Sequence, residues 1–161
     1  KDPTAVIGGI LTLTGSYCAV GRSQTLVCES CEFVDSFLQF SPDISVLLNI
    51  DDDHLDYFGN MDNLERSFSR FAALSKVCYV FGDDVRAVRA VKTAGVKAVT
   101  FGFESGNCYY PTDIESGSRG YGFTVMKNGK AVGKIAMSVP GRHNILNGLV
   151  SFAVCFDMVA V

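Results

Sequence analysis

Three short apolar runs, spaced so that a helix fits between the last two, constrain this chain more than any other feature. Thr25-Leu26-Val27-Cys28, Ile44-Ser45-Val46-Leu47-Leu48-Asn49-Ile50 and Val77-Cys78-Tyr79-Val80-Phe81 are nearly continuous in apolar character. Strands buried on both faces read this way, and such strands belong to parallel sheets covered by helices. Between the second and third run, residues 61–74 place Leu64, Phe68, Phe71 and Ala72 at i, i+4, i+7 and i+8, one face of a helix. Asp62 stands near its start, where a negative charge suits the helix dipole. A second helix is expected from Asp84 to Thr93, ending at Gly95, and a further strand over residues 97–101. An apolar stretch, Ala5-Val6-Ile7, is expected to stop at Gly8-Gly9. Strand–helix–strand–helix–strand order argues for an α/β fold with an open, mainly parallel sheet and flanking helices.

The character changes after residue 107. Segments become short, with turns at Gly117-Ser118 and Asn128-Gly129, the latter a type I′ hairpin signal. Residues 108–137 are therefore read as a small antiparallel sheet appended to an α/β core of residues 1–107 and 138–161. Pro140-Gly141 breaks the chain, and an apolar helix is expected from about Asn144. It is still apolar at Met158-Val159-Ala160-Val161, which predicts truncation, as one domain occupying residues 1–161.

Composition narrows the function. Among 161 residues the net charge is −3, and no Lys/Arg run exists to bind nucleic acid. Nothing approaches a transmembrane run, and Lys1-Asp2-Pro3-Thr4 lacks the apolar core of a signal peptide. Six cysteines are scattered, several in apolar runs, and read as free buried thiols of a reducing compartment. Cys28-Glu29-Ser30-Cys31 has no second such pair, which argues against structural zinc.

Three places could carry chemistry. Glu29 follows the first apolar run, and ligands gather at the carboxyl ends of strands in open α/β sheets. A carboxylate there can bind a divalent cation; a solvated loop acid would look the same. Asn49-Ile50-Asp51-Asp52-Asp53-His54-Leu55-Asp56 puts four acids and an imidazole after the second run. The alternative is a charged loop before a helix, with Asp56 or Asp62 as its cap. Finally, Asn144 and Asn147 share a face three residues apart, and an amide offers both a donor and an acceptor to an adenine edge. Ordinary capping would explain Asn144. Asn147, within an apolar helix, would need a partner. No G-x-x-x-x-G-K-[ST] loop and no G-x-S-x-G elbow occur.

In this order the segments resemble the central domain of the Mur ligase family. Cys28-Glu29-Ser30-Cys31-Glu32-Phe33-Val34-Asp35-Ser36-Phe37-Leu38 is similar to its E-A-x-E segment. Asn49-Ile50-Asp51-Asp52-Asp53-His54-Leu55-Asp56-Tyr57-Phe58 is similar to N-I-x-x-D-H-x-D. Pro140-Gly141-Arg142-His143-Asn144-Ile145-Leu146-Asn147 is similar to G-x-H-N-x-x-N, and Pro3-Thr4-Ala5-Val6-Ile7-Gly8-Gly9 to the stretch after the ATP-loop helix. The resemblance implies that Glu29 and His54 help bind Mg²⁺, within reach of one ion. It implies that Asn144 and Asn147 contact the adenine of ATP, with His143 beside the base.

The carbamylated Lys of other members has no counterpart in Leu64-Glu65-Arg66-Ser67-Phe68-Ser69-Arg70-Phe71. That absence favours the alanine-adding branch. Cys31 stands where many relatives carry Asp. The implied reaction is the ATP-dependent joining of L-alanine to UDP-N-acetylmuramate in peptidoglycan synthesis, in the cytoplasm, without nucleic acid or membrane as partner. The phosphate-binding loop and its Lys are expected before Lys1, and the amino-acid domain after Val161. No catalytic residue beyond the metal ligands is then expected, and the isolated chain should be inactive. The alternatives are another amide ligase of this type, similar to folylpolyglutamate or cyanophycin synthetases, and a non-catalytic domain that binds a divalent ion.

Overall fold

A computed structural model describes residues 2–12, 14–117 and 120–159. Chain contacts divide it into two compact units, residues 1–40 and 41–161.

The first unit is a three-stranded sheet in the order β2-β1-β3, with β1 Thr4–Leu11, β2 Ser16–Ala19 and β3 Leu26–Cys28. β1 runs antiparallel to β2 and parallel to β3, pairing Val6 with Cys28. The strand does not stop at Gly8-Gly9 as expected, since extended backbone carries through both glycines. Leu26 and Val27 are exposed within this unit, so β3 is not the doubly buried strand its composition suggested. A 3-10 segment, Phe33–Gln39, follows; it holds Val34 and Asp35 at φ of 50° and 57°. A β-branched residue in the left-handed region is a steric outlier.

The second unit is built on a six-stranded sheet in the order β4-β5-β6-β7-β8-β9. Its strands are β4 Ile44–Leu47, β5 Val77–Phe81, β6 Lys97–Phe101, β7 Tyr109–Gly117, β8 Gly120–Lys127 and β9 Lys130–Met137. β4 to β7 are parallel; β7, β8 and β9 are antiparallel and continue the sheet edge-on. Asn128 and Gly129, at φ of 48° and 80°, make the tight turn between β8 and β9. Ser118 lies outside the described residues. β5 is buried on both faces, through Cys78, Tyr79 and Val80. β4 is not: Ser45 and Leu47 are buried while Val46 is exposed, as befits a strand with a described neighbour on one side only.

Helices α2 (Met61–Ala73) and α3 (Val85–Ala94) connect the parallel strands and pack on each other, joined by a Glu65–Arg89 ion pair. On α2, Leu64, Phe71 and Ala72 are buried and Phe68 is half-buried, which is the expected face. Its cap is neither Asp56 nor Asp62 but Asn60, whose side chain accepts from the Asn63 N–H. Asp84 caps α3, and Gly95 closes it in the left-handed conformation that glycine adopts without strain. One turn, α1 (Leu55–Phe58), precedes α2.

Helix α4, Arg142–Val159, begins two residues before the expected start and covers one face of the sheet. Its Ile145, Leu149, Val150 and Ala153 bury against Tyr79, Phe101, Tyr109, Phe123 and Val125. Burying each large side chain here contributes about 1.5–3 kcal/mol. Near its carboxyl end the carboxylate of Asp157 accepts from Tyr79 Oη at 2.7 Å, Tyr109 Oη at 2.6 Å and Lys127 Nζ at 2.6 Å. Burial opposes ionisation of Asp157, but the bonds from Lys127, Tyr109 and Tyr79 outweigh it and hold the carboxyl below its ordinary range.

A carboxyl whose folded pKa is depressed stabilises fully above its unfolded value and loses that contribution as pH falls through the folded one. Stability conferred by Asp157 should therefore fade below about pH 4. Denaturation at pH 7 and at pH 3 should show Asp157→Asn costing markedly more at the higher pH. An equal cost at both would contradict the ion-paired carboxylate.

All six cysteines are free. Cys18, Cys31 and Cys155 are exposed, and only Cys78 is buried, so burial is not the common property their apolar neighbours suggested. Burial pushes the Cys78 thiol up to about 11, against hydrogen bonds from Ser45 and the backbone. At pH 8 a thiol reagent should label Cys78 in the native chain more than tenfold slower than Cys31, with six labels added after denaturation. Equal rates would argue against the buried β5 strand.

Candidate functional site

Glu29 directly follows β3 in the first unit. Its backbone N–H donates to the Val6 carbonyl at 2.9 Å, which extends the β1–β3 ladder by one bond. Its side chain turns back over β1, and Oε2 accepts from the Gly8 N–H at 2.8 Å. A Cβ at Gly8 would lie 3.2 Å from Glu29 Oε1, so the bare glycine backbone makes the carboxylate's seat. Glu29 is exposed, an oriented carboxylate at a strand's carboxyl end.

In the second unit, the loop after β4 carries the acids. Asp51, Asp52 and Asp53 are exposed and His54 is half-buried. Asn49 Nδ2 donates to Asp51 Oδ2 at 2.8 Å, and Asp53 Oδ1 accepts from the His54 N–H at 2.8 Å. His54 itself stands at φ 54°, in the left-handed region, as the residue before α1. A histidine tolerates that conformation better than most side chains. Local bonds tie the acids of the loop, and the buried Ile50 anchors its start.

The third segment opens α4. Gly141, at φ 108°, turns the chain into the helix, and a Cβ there would meet the His143 ring at 2.7 Å. Asn144 Nδ2 donates to the Pro140 carbonyl at 2.6 Å, and Asn147 Nδ2 donates to Asn144 Oδ1 at 3.3 Å. The structure brings His143, Asn144 and Asn147 together on the first turns of one helix. Asn147 is exposed, however, so its amide is not a buried polar group in need of a partner. The helix is apolar on its sheet-facing side, and Asn147 lies off that side.

Sequence reasoning missed the residues behind these segments. Asp84 accepts from the Ile50 N–H at 3.0 Å, and Asp83 accepts from the Phe103 N–H at 2.6 Å. Their visible signal was only a pair of acids after an apolar run, which a helix cap explains equally well.

In this chain of α/β class, a carboxylate thus follows β3, acids and an imidazole follow β4, and a pair of amides opens α4 after the antiparallel strand β9. The description of one family fits residues 17–155, that of the Mur ligase middle domain, and the chain belongs to this family as its middle domain. It is 40% identical over 159 residues to the UDP-N-acetylmuramate–L-alanine ligase of Caldanaerobacter subterraneus subsp. tengcongensis, covering 96% of this chain and 35% of the relative. With the ligase of the same name from Acetivibrio thermocellus it shares 37% identity over 162 residues, covering 98% of this chain and 34% of the relative. The crystal structure of UDP-N-acetylmuramate-alanine ligase from Thermotoga maritima superposes with a TM-score of 0.83 at 28% identity, covering all of this chain and 36% of that one. The chain spans about a third of the length of the curated relatives it matches.

Proposed function

We propose that this chain is the nucleotide-binding middle segment of an ATP-dependent ligase that joins L-alanine to UDP-N-acetylmuramate. The observation that carries this is the 40% identity, over nearly the whole chain, to a ligase of that name. The three segments that resemble the family's motifs all lie where an oriented side chain follows a strand or opens a helix. In the proposed reaction a carboxylate of the muramate substrate takes the terminal phosphoryl group of ATP. The amine of alanine then attacks the acyl phosphate and phosphate leaves. A place in the cytoplasm belongs to the same reading; among the described residues no helix is long and apolar enough to cross a membrane.

Glu29 and His54 are the residues we assign to Mg²⁺. The donor chemistry fits: Glu29 is an exposed carboxylate with one oxygen spent on Gly8 N–H, and carboxylate oxygen is the ligand a hard cation prefers. An imidazole is a minority ligand for Mg²⁺ and admits Mn²⁺ as well. The cation offsets the charge that builds on the phosphoryl group.

Asn144 and Asn147 are assigned to the adenine edge, with His143 beside it. Asn144 is occupied through both its amide nitrogen and its oxygen, which leaves Asn147 as the amide with an oxygen to spare for an exocyclic amine. In a ligase-length protein carrying this segment, Asn147→Ala should raise KM for ATP about threefold to tenfold, the worth of one neutral hydrogen bond. Because Asn147 is exposed, the melting temperature should stay within about a degree or two. An unchanged KM would remove the adenine assignment.

A further inference from the structure

We propose that Asp83 and Asp84, side by side at the carboxyl end of β5, are positioning residues that hold the two functional segments of the second unit. Asp84 holds the loop that carries His54, and Asp83 holds the start of α4. The proposal rests on the reading of His54 and Asn147 given above; neither aspartate is assigned a contact with substrate.

The two oxygens of Asp84 do different work. Oδ1 accepts from the Arg86 N–H at 2.8 Å and the Ala87 N–H at 3.0 Å, an ordinary helix cap. Oδ2 points away from α3 and accepts from the Ile50 N–H at 3.0 Å, across 34 positions of sequence. A cap needs only one oxygen, and serine would serve. The second oxygen anchors Ile50, whose side chain is 2% exposed and which lies four residues before His54. Asn49, Asp51 and Asp53 make bonds within the loop, whereas this one ties the His54 loop to the start of α3.

Asp83 closes the turn after β6. Oδ2 accepts from the Phe103 N–H at 2.6 Å, and Oδ1 from Asn107 Nδ2 at 2.7 Å. Asn107 is buried, and its amide nitrogen also donates to the Glu104 carbonyl at 3.0 Å. The packing leaves no room for a methyl group: a Cβ at Gly82 would lie 1.8 Å from Asn107 Oδ1, and one at Gly102 would lie 2.6 Å from both Asp83 oxygens. The turn so fixed presents the Phe103 ring, and the Arg142 guanidinium stacks over it at 4.4 Å from the centroid. Arg142 is the first residue of α4 and adjoins His143. A cation over an aromatic face is a favourable contact, and it ties the first residue of α4 to this turn. One pair of adjacent carboxylates thus registers both segments to the same strand end.

The test uses two variants and two readouts. In the 161-residue chain, amide NMR and hydrogen exchange should show Asp84→Ser speeding exchange at Ile50 at least tenfold. Signals of residues 49–54 should shift, while Val88 and Val91 of α3 stay protected. Asp83→Ser should shift Phe103 and residues 142–147 and leave residues 49–54 alone. Should either serine variant fail to fold, the asparagine variant at that position takes its place, since it keeps one acceptor.

In the ligase-length protein, Asp84→Ser should raise the Mg²⁺ concentration for half-maximal rate about fivefold with little change in KM for ATP. Asp83→Ser should do the reverse. A merely structural role would lower the melting temperature and kcat without separating the two constants. Both variants disturbing both segments alike, or neither disturbing either, overturns the proposal. A wild-type protein that needs neither Mg²⁺ nor ATP would instead overturn the functional reading, and the exchange pattern would still decide the positioning.

Discussion

Glu29→Gln, in a ligase-length protein carrying this segment, is expected to lower kcat about a hundredfold or more with the fold intact. The substitution keeps the shape of the side chain and removes its charge. Gln can still accept from the Gly8 N–H, the side-chain bond described for Glu29, so the β1–β3 end should hold. What is lost is the anionic oxygen proposed to hold Mg²⁺. Removing one preorganised group that stabilises transition-state charge costs about 10²–10³ in kcat. Excess Mg²⁺ should recover part of the loss, and Glu29→Asp less than Glu29→Gln should show that benefit, because the shortened acid moves the oxygen rather than neutralising it. The variant's melting temperature, read beside its rate, separates a lost ligand from a lost fold. A kcat within threefold of wild type would end the metal assignment for Glu29.

Gly120→Ala should be the most damaging single methyl group in the second unit, lowering stability by about 2–3 kcal/mol. Gly120 sits at φ 138°, a backbone conformation that side chains of L-residues rarely adopt. Its Cβ would fall 1.8 Å from the Met137 carbonyl oxygen, so the clash is with backbone and no rotamer relieves it. Residues of β8 and β9 pair directly beside it, Tyr121 with Met137, and the strand ends would have to part. For a chain of this size the expected fall in melting temperature is about 5–10 °C. Gly106→Ala is the control, since a Cβ there meets nothing within 4 Å and φ is not positive. Equal melting of the two variants would mean that β8 and β9 do not meet as described.

Secondary structure in the parallel part was legible because its signals are local. Residues 77–81 and 97–101 emerged with the bounds of β5 and β6, and Gly95 ends α3 as glycine commonly ends a helix. The Asn128-Gly129 turn was equally local, since both positions need positive φ and few residue pairs tolerate that. The 3-10 segment Phe33–Gln39 and the one-turn α1 were not foreseen. Neither is long enough to show a hydrophobic period, and the left-handed Val34 runs against the intrinsic preference of a β-branched residue.

What the sequence determined by itself was the α/β class, the antiparallel hairpins and the family whose motifs these segments resemble. These follow from periodicity, from turn chemistry and from residue types read over a few positions. Only the tertiary structure decided burial and partnership. It showed Leu26, Val27 and Val46 exposed where an apolar run implied two covered faces, because coverage depends on which strands become neighbours. It placed Asn147 on the exposed side of α4, because one residue of helical phase separates facing the sheet from facing away. It also revealed Asp157 gathering Tyr79, Tyr109 and Lys127, and Asp84 reaching Ile50. Hydrogen bonds between residues tens of positions apart leave no trace in local pattern, since nothing but the closed chain brings donor and acceptor within 3 Å of each other.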